Sequence, residues 1–318
     1  MSGFGKCVCV LLAVFGTSFA RAQILRLPTS ACALASESAD GFEAVLDSWP
    51  SRGSGGALGA GNAFVSVPGF ESDPHFNQRE YFYFVPELAT PRPLPVVVAL
   101  HGTAGSPTNA RTEARVVRDI WIDAATRYGF AVIAPVAGST LGSWTAPDAA
   151  GARPTDYDVI AAAMAHLESR YDIQRLRRYL WGFSAGGHVG LDVILNPWHE
   201  GFDRRNFAAV AINAGALAGL ACAGVSTTQC DLALHDAFPR LPLQVIAGDT
   251  DPLATRVLQD APRFRNGGWI DGRNYRLETF AGGHYVQLTH PEQQWLWLCQ
   301  FSRRLDPIER FRLRPNVP

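Results

Sequence analysis

The segment Arg178-Tyr179-Leu180-Trp181-Gly182-Phe183-Ser184-Ala185-Gly186-Gly187 decides how this chain is read. A β-rich run feeds directly into Gly-x-Ser-x-Gly, the pattern of a sharp strand-to-helix turn with a serine at its apex. Such a turn holds the serine at strained backbone angles and leaves no room for a β-carbon two positions before or after it, which accounts for Gly182 and Gly186. The hydroxyl of Ser184 is thereby lifted clear of the strand. Ala185 then opens a helix whose free N–H groups face a developing negative charge. The segment offers Ser184 as a candidate nucleophile and the Ala185 N–H as half of an oxyanion hole.

On either side of this turn, short apolar runs alternate with stretches of helical character. Strands are expected over residues 79–85, 95–100, 131–135, 208–212, 243–247 and 275–280, and helices near 111–128, 156–171 and 291–304, with another beginning at Ala185. Short buried strands separated by helices predict an α/β fold, a mainly parallel central sheet covered by helices on both faces. Reactive groups in such sheets gather at the carboxyl ends of the strands. Residues 75–318 read as one such domain, and 23–74, rich in Gly, Ser and Ala, as an irregular extension packed upon it.

A serine hydroxyl needs a base, and the base an orienting carboxylate. In a chain with this turn the order is serine, acid, histidine. His284 follows the 275–280 strand within Ala281-Gly282-Gly283-His284-Tyr285, where a glycine pair lets the loop carry the imidazole over the serine. His290, at or inside the last helix, and His188, one helical turn beyond Ser184, are poorer bases by position. The acid is expected after the 243–247 strand, in Gly248-Asp249-Thr250-Asp251-Pro252. Asp251 is preferred because it lies past the turn, whereas Asp249 can cap or close it. A second oxyanion donor is expected in Leu100-His101-Gly102-Thr103-Ala104-Gly105, with the Thr103 N–H as the candidate and His101 shaping the loop. Trp144, after the 131–135 strand, is a candidate floor for a substrate pocket.

The 318 residues carry a net charge of −1, and no basic block or internal repeat occurs, so nothing points to nucleic acid. Lys6 precedes an apolar stretch over 7–20, and Ala20-Arg21-Ala22 supplies small residues where a signal peptidase reads. Residues 1–22 are accordingly expected to be a secretory signal peptide. No stable membrane anchor is expected, because the stretch is too short to span comfortably. Cleavage leaves Cys32, Cys222, Cys230 and Cys299. Four cysteines in an exported chain suggest two disulfides in one of three pairings, and the short separation favours Cys222 with Cys230, leaving Cys32 for Cys299. The spacings lack a C-x-x-C pair or nearby histidines, so no metal site is expected.

Taken together, these motifs resemble the α/β-hydrolases of the secreted polyhydroxybutyrate depolymerase and feruloyl esterase type. The resemblance runs from about residue 79 to 301 and rests on Tyr83-Phe84-Val85-Pro86, Leu100-His101-Gly102, the helix from about Asp158, Gly182-Phe183-Ser184-Ala185-Gly186-Gly187, Gly248-Asp249-Thr250-Asp251-Pro252 and Gly282-Gly283-His284. It implies a triad of Ser184, Asp251 and His284, with Thr103 and Ala185 as oxyanion donors. It also implies hydrolysis of polyester, feruloyl or small acyl esters without a metal or organic cofactor. Two other readings share the turn: a serine peptidase of prolyl-oligopeptidase type, and a non-catalytic hydrolase scaffold that binds. Oligomeric state is open.

Overall fold

The computed structural model describes residues 23–26, 49–89, 91–147, 153–197 and 199–304. The expected signal peptide and Cys32 lie outside the described residues. The strands are β1 (Gln23–Arg26), β2 (Gly59–Val65), β3 (Arg79–Val85), β4 (Leu94–Leu100), β5 (Ala131–Pro135), β6 (Ile173–Phe183), β7 (Ala209–Asn213), β8 (Leu243–Gly248), β9 (Tyr275–Phe280) and β10 (Phe301–Arg304). The helices are α1 (Pro107–Ile120), α2 (Ile122–Tyr128), α3 (Asp156–Arg170), α4 (Ala185–Leu195), α5 (Thr227–Asp236), α6 (Ala254–Asn266) and α7 (His290–Leu298).

Eight strands form one sheet in the order β2-β3-β5-β4-β6-β7-β8-β9. The pairs β2/β3 and β3/β5 are antiparallel, and every pair from β5 to β9 is parallel. The α/β expectation holds. β4 is buried along its whole length because both faces of the sheet are covered. Its Val96, Val98 and Leu100 join a core shared with α3, α4 and α6, while Val97 and Ala99 join a second core shared with α1, α2 and α7. A continuous apolar run is what a strand buried on two faces requires. No helix among the described residues is long and apolar enough to cross a membrane.

Three local expectations need correction. The stretch expected as irregular contains β2, whose seven residues pair with β3 at the sheet edge. Its Gly59-Ala60-Gly61 start hides the strand pattern, and a β-carbon on Gly61 would meet the Tyr83 ring at 2.5 Å. The helix expected over 111–128 starts earlier and divides at Trp121. Ser106 caps the Asn109 N–H and Pro107 occupies the first turn, while Trp121 is withdrawn from solvent against Phe130 and Trp181. The helix expected to reach residue 304 stops at Leu298, and β10 pairs antiparallel with β1. Pairing with a distant segment outweighs local helical preference at that end.

Candidate active site

The strand-turn-helix of the opening segment is formed by β6 and α4. Ser184 sits between them at φ 52° and ψ −113°, a positive-φ conformation that a non-glycine residue adopts only under constraint. The constraint is visible on both sides. A β-carbon on Gly182 would lie 2.1 Å from the Gly186 carbonyl oxygen, and one on Gly186 would lie 2.3 Å from the Leu100 carbonyl oxygen. The Ser184 N–H donates to the Asn213 carbonyl at 2.9 Å, which ties the apex of the turn to the end of β7.

His284 and Asp251 arrive from the two strands beyond. His284 Nε2 lies 2.9 Å from Ser184 Oγ, and His284 Nδ1 lies 2.8 Å from Asp251 Oδ2. Because a carboxylate only accepts, Nδ1 carries the proton and Nε2 is left to accept from the serine. The Asp251 side chain is withdrawn from solvent and also accepts the Leu253 N–H through Oδ1 at 2.7 Å. The imidazole itself stays one-third exposed and rests on the Phe183 ring at 4.9 Å between centroids. The structure thus brings together the three side chains singled out in the sequence.

Asp249 has a different place. Its Oδ1 accepts the Gly282 N–H at 3.0 Å, its own N–H donates to Phe280, and the Thr250 N–H donates to Gly282. The turn after β8 is therefore laced to the histidine loop. The approach is so close that a β-carbon on Gly248 would meet the Gly282 carbonyl oxygen at 2.2 Å. Asp249 closes the loop that aims the imidazole, and Asp251 touches the imidazole.

The Thr103 and Ala185 N–H groups make no hydrogen bond among the described residues. They belong to adjacent pieces of chain: a β-carbon on Gly102 would lie 3.2 Å from Ser184 Cβ, so the loop after β4 passes directly over the serine. That loop is tied to α4 by the Gly186 N–H, which donates to the His101 carbonyl at 3.1 Å. His101 is buried, with Nδ1 2.6 Å from the Gly102 carbonyl and Nε2 accepting the Ala137 N–H at 3.2 Å. Burial pushes its pKa down, and the two bonds fit a neutral ring that shapes the loop.

Trp144 is half-buried. Its indole N–H donates to the His101 carbonyl at 2.8 Å, and the two rings lie 4.9 Å apart. It braces the loop over Ser184, a part that its sequence position did not disclose. His188 packs against Gly219, with Nε2 buried and without a hydrogen-bond partner among the described residues, and burial lowers its pKa. His290 is the first residue of α7 and is buried, with Nδ1 accepting the Gln287 N–H.

Sequence reasoning did not identify Asn213 or Gln294. Gln294 Oε1 accepts from Trp181 Nε1 at 2.6 Å and from Asn213 Nδ2 at 2.8 Å, pinning β6 and β7 together beneath the turn. A polar residue ending the apolar run of β7 was the available signal. Cys222 and Cys230 form a disulfide. Cys299 is disulfide-bonded as well, and Cys32, its expected partner, falls in the undescribed part.

The sheet order, the turn at Ser184 and the order of the three side chains define the α/β-hydrolase fold, and solved structures share it. A ferulic acid esterase superposes with a TM-score of 0.56 at 16% identity, covering 77% of this chain and 99% of its own. FphF, a fluorophosphonate-binding serine hydrolase of Staphylococcus aureus, gives 0.52 at 14% identity, with coverage of 77% and 99%. A candidate dipeptidyl aminopeptidase IV from Bacteroides ovatus gives 0.52 at 13% identity, over 76% of this chain and 35% of that one. At such identities the likeness is one of fold. No protein-family model matches the sequence, and no curated protein is similar to it in sequence.

Proposed function

We propose that the chain is an exported serine esterase that cleaves carboxylic esters through an acyl-enzyme on Ser184. The observation that carries this reading is the unbroken relay Ser184 Oγ–His284 Nε2–His284 Nδ1–Asp251 Oδ2, with contacts of 2.9 and 2.8 Å, at a serine held in the strained turn conformation. His284 takes the hydroxyl proton as Ser184 Oγ bonds to the acyl carbon, and Asp251 stabilises the imidazolium. The carbonyl electron pair moves to oxygen, and the Thr103 and Ala185 N–H groups donate hydrogen bonds to the resulting oxyanion. Collapse expels the alcohol with the proton from His284. Water, deprotonated by the same imidazole, then releases the acid and frees the serine.

The substrate classes proposed are polyhydroxyalkanoate, feruloyl and small acyl esters, and the ferulic acid esterase neighbour supports the second of these. Residues 1–22 serve as the export signal, and the Cys222–Cys230 disulfide is in keeping with an oxidising destination. Short p-nitrophenyl esters, methyl ferulate and an amorphous polyhydroxyalkanoate film, each assayed with the parent and with Ser184→Ala, test the proposal. Turnover by the parent that the variant loses supports it, and equal rates would refute it. Likeness to the candidate dipeptidyl aminopeptidase gives the peptidase reading one observation of its own, and peptidyl anilides turned over in preference to esters would favour that reading.

A further inference from the structure

Asp156, the first residue of α3, has a side chain that is almost wholly buried, and its carboxylate accepts four hydrogen bonds. Oδ1 accepts from Arg79 Nη2 at 2.7 Å and from the Gly138 N–H at 3.1 Å. Oδ2 accepts the Thr145 N–H at 2.7 Å and the Thr145 hydroxyl at 2.9 Å. The Asp156 N–H returns a bond to Thr145. One carboxylate thus grips both ends of the segment between Gly138 and Thr145.

Between those ends, the segment delivers its bonds to a single target. The Gly142 and Leu141 carbonyls accept the Ala104 and Gly105 N–H groups at 3.1 and 2.9 Å. Ser143 Oγ accepts from the Thr103 hydroxyl at 3.1 Å, and Trp144 Nε1 donates to the His101 carbonyl at 2.8 Å. Every residue of 103–105, and His101 before them, is held from this side. Gly142 has φ 60°, and a β-carbon there would lie 2.4 Å from the Ser106 carbonyl oxygen, so the two segments approach as closely as backbone allows.

We propose that Asp156 is a positioning residue for the reaction of Ser184: through the 138–145 segment it fixes where the Thr103 N–H points. The inference rests on the esterase reading, because only a reaction that builds charge on a carbonyl oxygen needs that N–H in a fixed place. An oxyanion donor displaced by a fraction of an ångström loses much of its worth in the transition state while binding the ground-state ester nearly as well.

The test uses the full chain and two variants, Asp156→Asn and the milder Thr145→Val, which removes the hydroxyl bonds but leaves the Arg79 pair. Active sites are counted by fluorophosphonate labelling so that rates are per competent molecule. For Thr145→Val, kcat per site is expected to fall about tenfold with KM within about twofold, and for Asp156→Asn about a hundredfold. Inhibition by a trifluoromethyl ketone, to which Ser184 adds to form a bound alkoxide, is expected to weaken in step with kcat/KM. Fewer labelled sites, each with the parent kcat and parent inhibition, would mean a structural role only and overturn the inference. Should Asp156→Asn fail to fold, Thr145→Val decides by the same readouts. A parent that neither labels nor turns over esters would refute the esterase reading and this inference with it, whereas an active parent with unaffected variants refutes the inference alone.

Discussion

The Gly186 N–H donates to the His101 carbonyl at 3.1 Å, so the helix that follows Ser184 and the loop that passes over that serine are hydrogen-bonded to each other. This contact exists only because Gly186 has no side chain: a β-carbon would stand 2.3 Å from the neighbouring Leu100 carbonyl oxygen. Gly186→Ala is therefore expected to separate helix from strand, abolishing ester turnover and lowering stability by several kcal/mol, beyond the usual range for overpacking of about 1–3 kcal/mol because the obstacle is backbone. Denaturant titration and fluorophosphonate labelling measure the two effects. A variant with parental midpoint and labelling would contradict this account of the turn.

The two aspartates after β8 are expected to separate cleanly. Asp251→Asn removes the acceptor that fixes the His284 tautomer, and kcat should fall by roughly three to four orders of magnitude with little change in KM. Asp249→Ala removes one exposed bond to the histidine loop, and a loss of about tenfold or less is expected. Steady-state kinetics on one short ester compares them, and a larger loss at Asp249 would reverse the assignment.

Acid sensitivity should come from the buried histidines. His101 has its pKa lowered by burial, and so do His188 and His290. The unfolded chain takes up a proton on each near 6.5, while the folded chain resists doing so. Stability from these groups is therefore complete above about 6.5 and is lost as pH falls from there through the folded pKa values. Melting temperature is expected to decline below that pH, and His101→Gln should flatten the decline while lowering stability overall. Parallel pH profiles for parent and variant would remove His101 as a cause.

Reduction of the disulfide between Cys222 and Cys230 should have a modest cost. With a sequence separation of 8, loop-closure entropy corresponds to about 2.5 kcal/mol. Cys222→Ser is expected to lower the denaturation free energy by about that amount while leaving ester turnover within about twofold at temperatures where the protein stays folded. Unchanged stability would mean that packing of α5 against α6 holds the segment without the covalent link.

Much of the site could be read in the sequence because its parts are turns, and turns are written in local residue types. Gly182 and Gly186 around Ser184, the Gly282-Gly283 pair before His284 and Gly248 before the two aspartates mark the places where backbone passes backbone, and of the six parallel strands β4, β5, β7 and β8 announced themselves by apolar runs. Harder to see was whatever depended on a distant partner. β2 is a strand only because β3 offers an edge, β10 is a strand only because β1 lies beside it, and the part played by Trp144 follows from where the His101 carbonyl happens to be.

The sequence by itself determined the fold class, the strained turn and the order of serine, acid and base, since strand periodicity and glycine placement act over a few residues. Only the tertiary structure decided that Asp251 meets the imidazole while Asp249 holds its loop, and that Asp156 binds the 138–145 segment that holds the loop after β4. The physical reason is the short range of the hydrogen bond: which of several eligible acceptors is used depends on separations of about 3 Å, and those are set when distant strands are packed side by side.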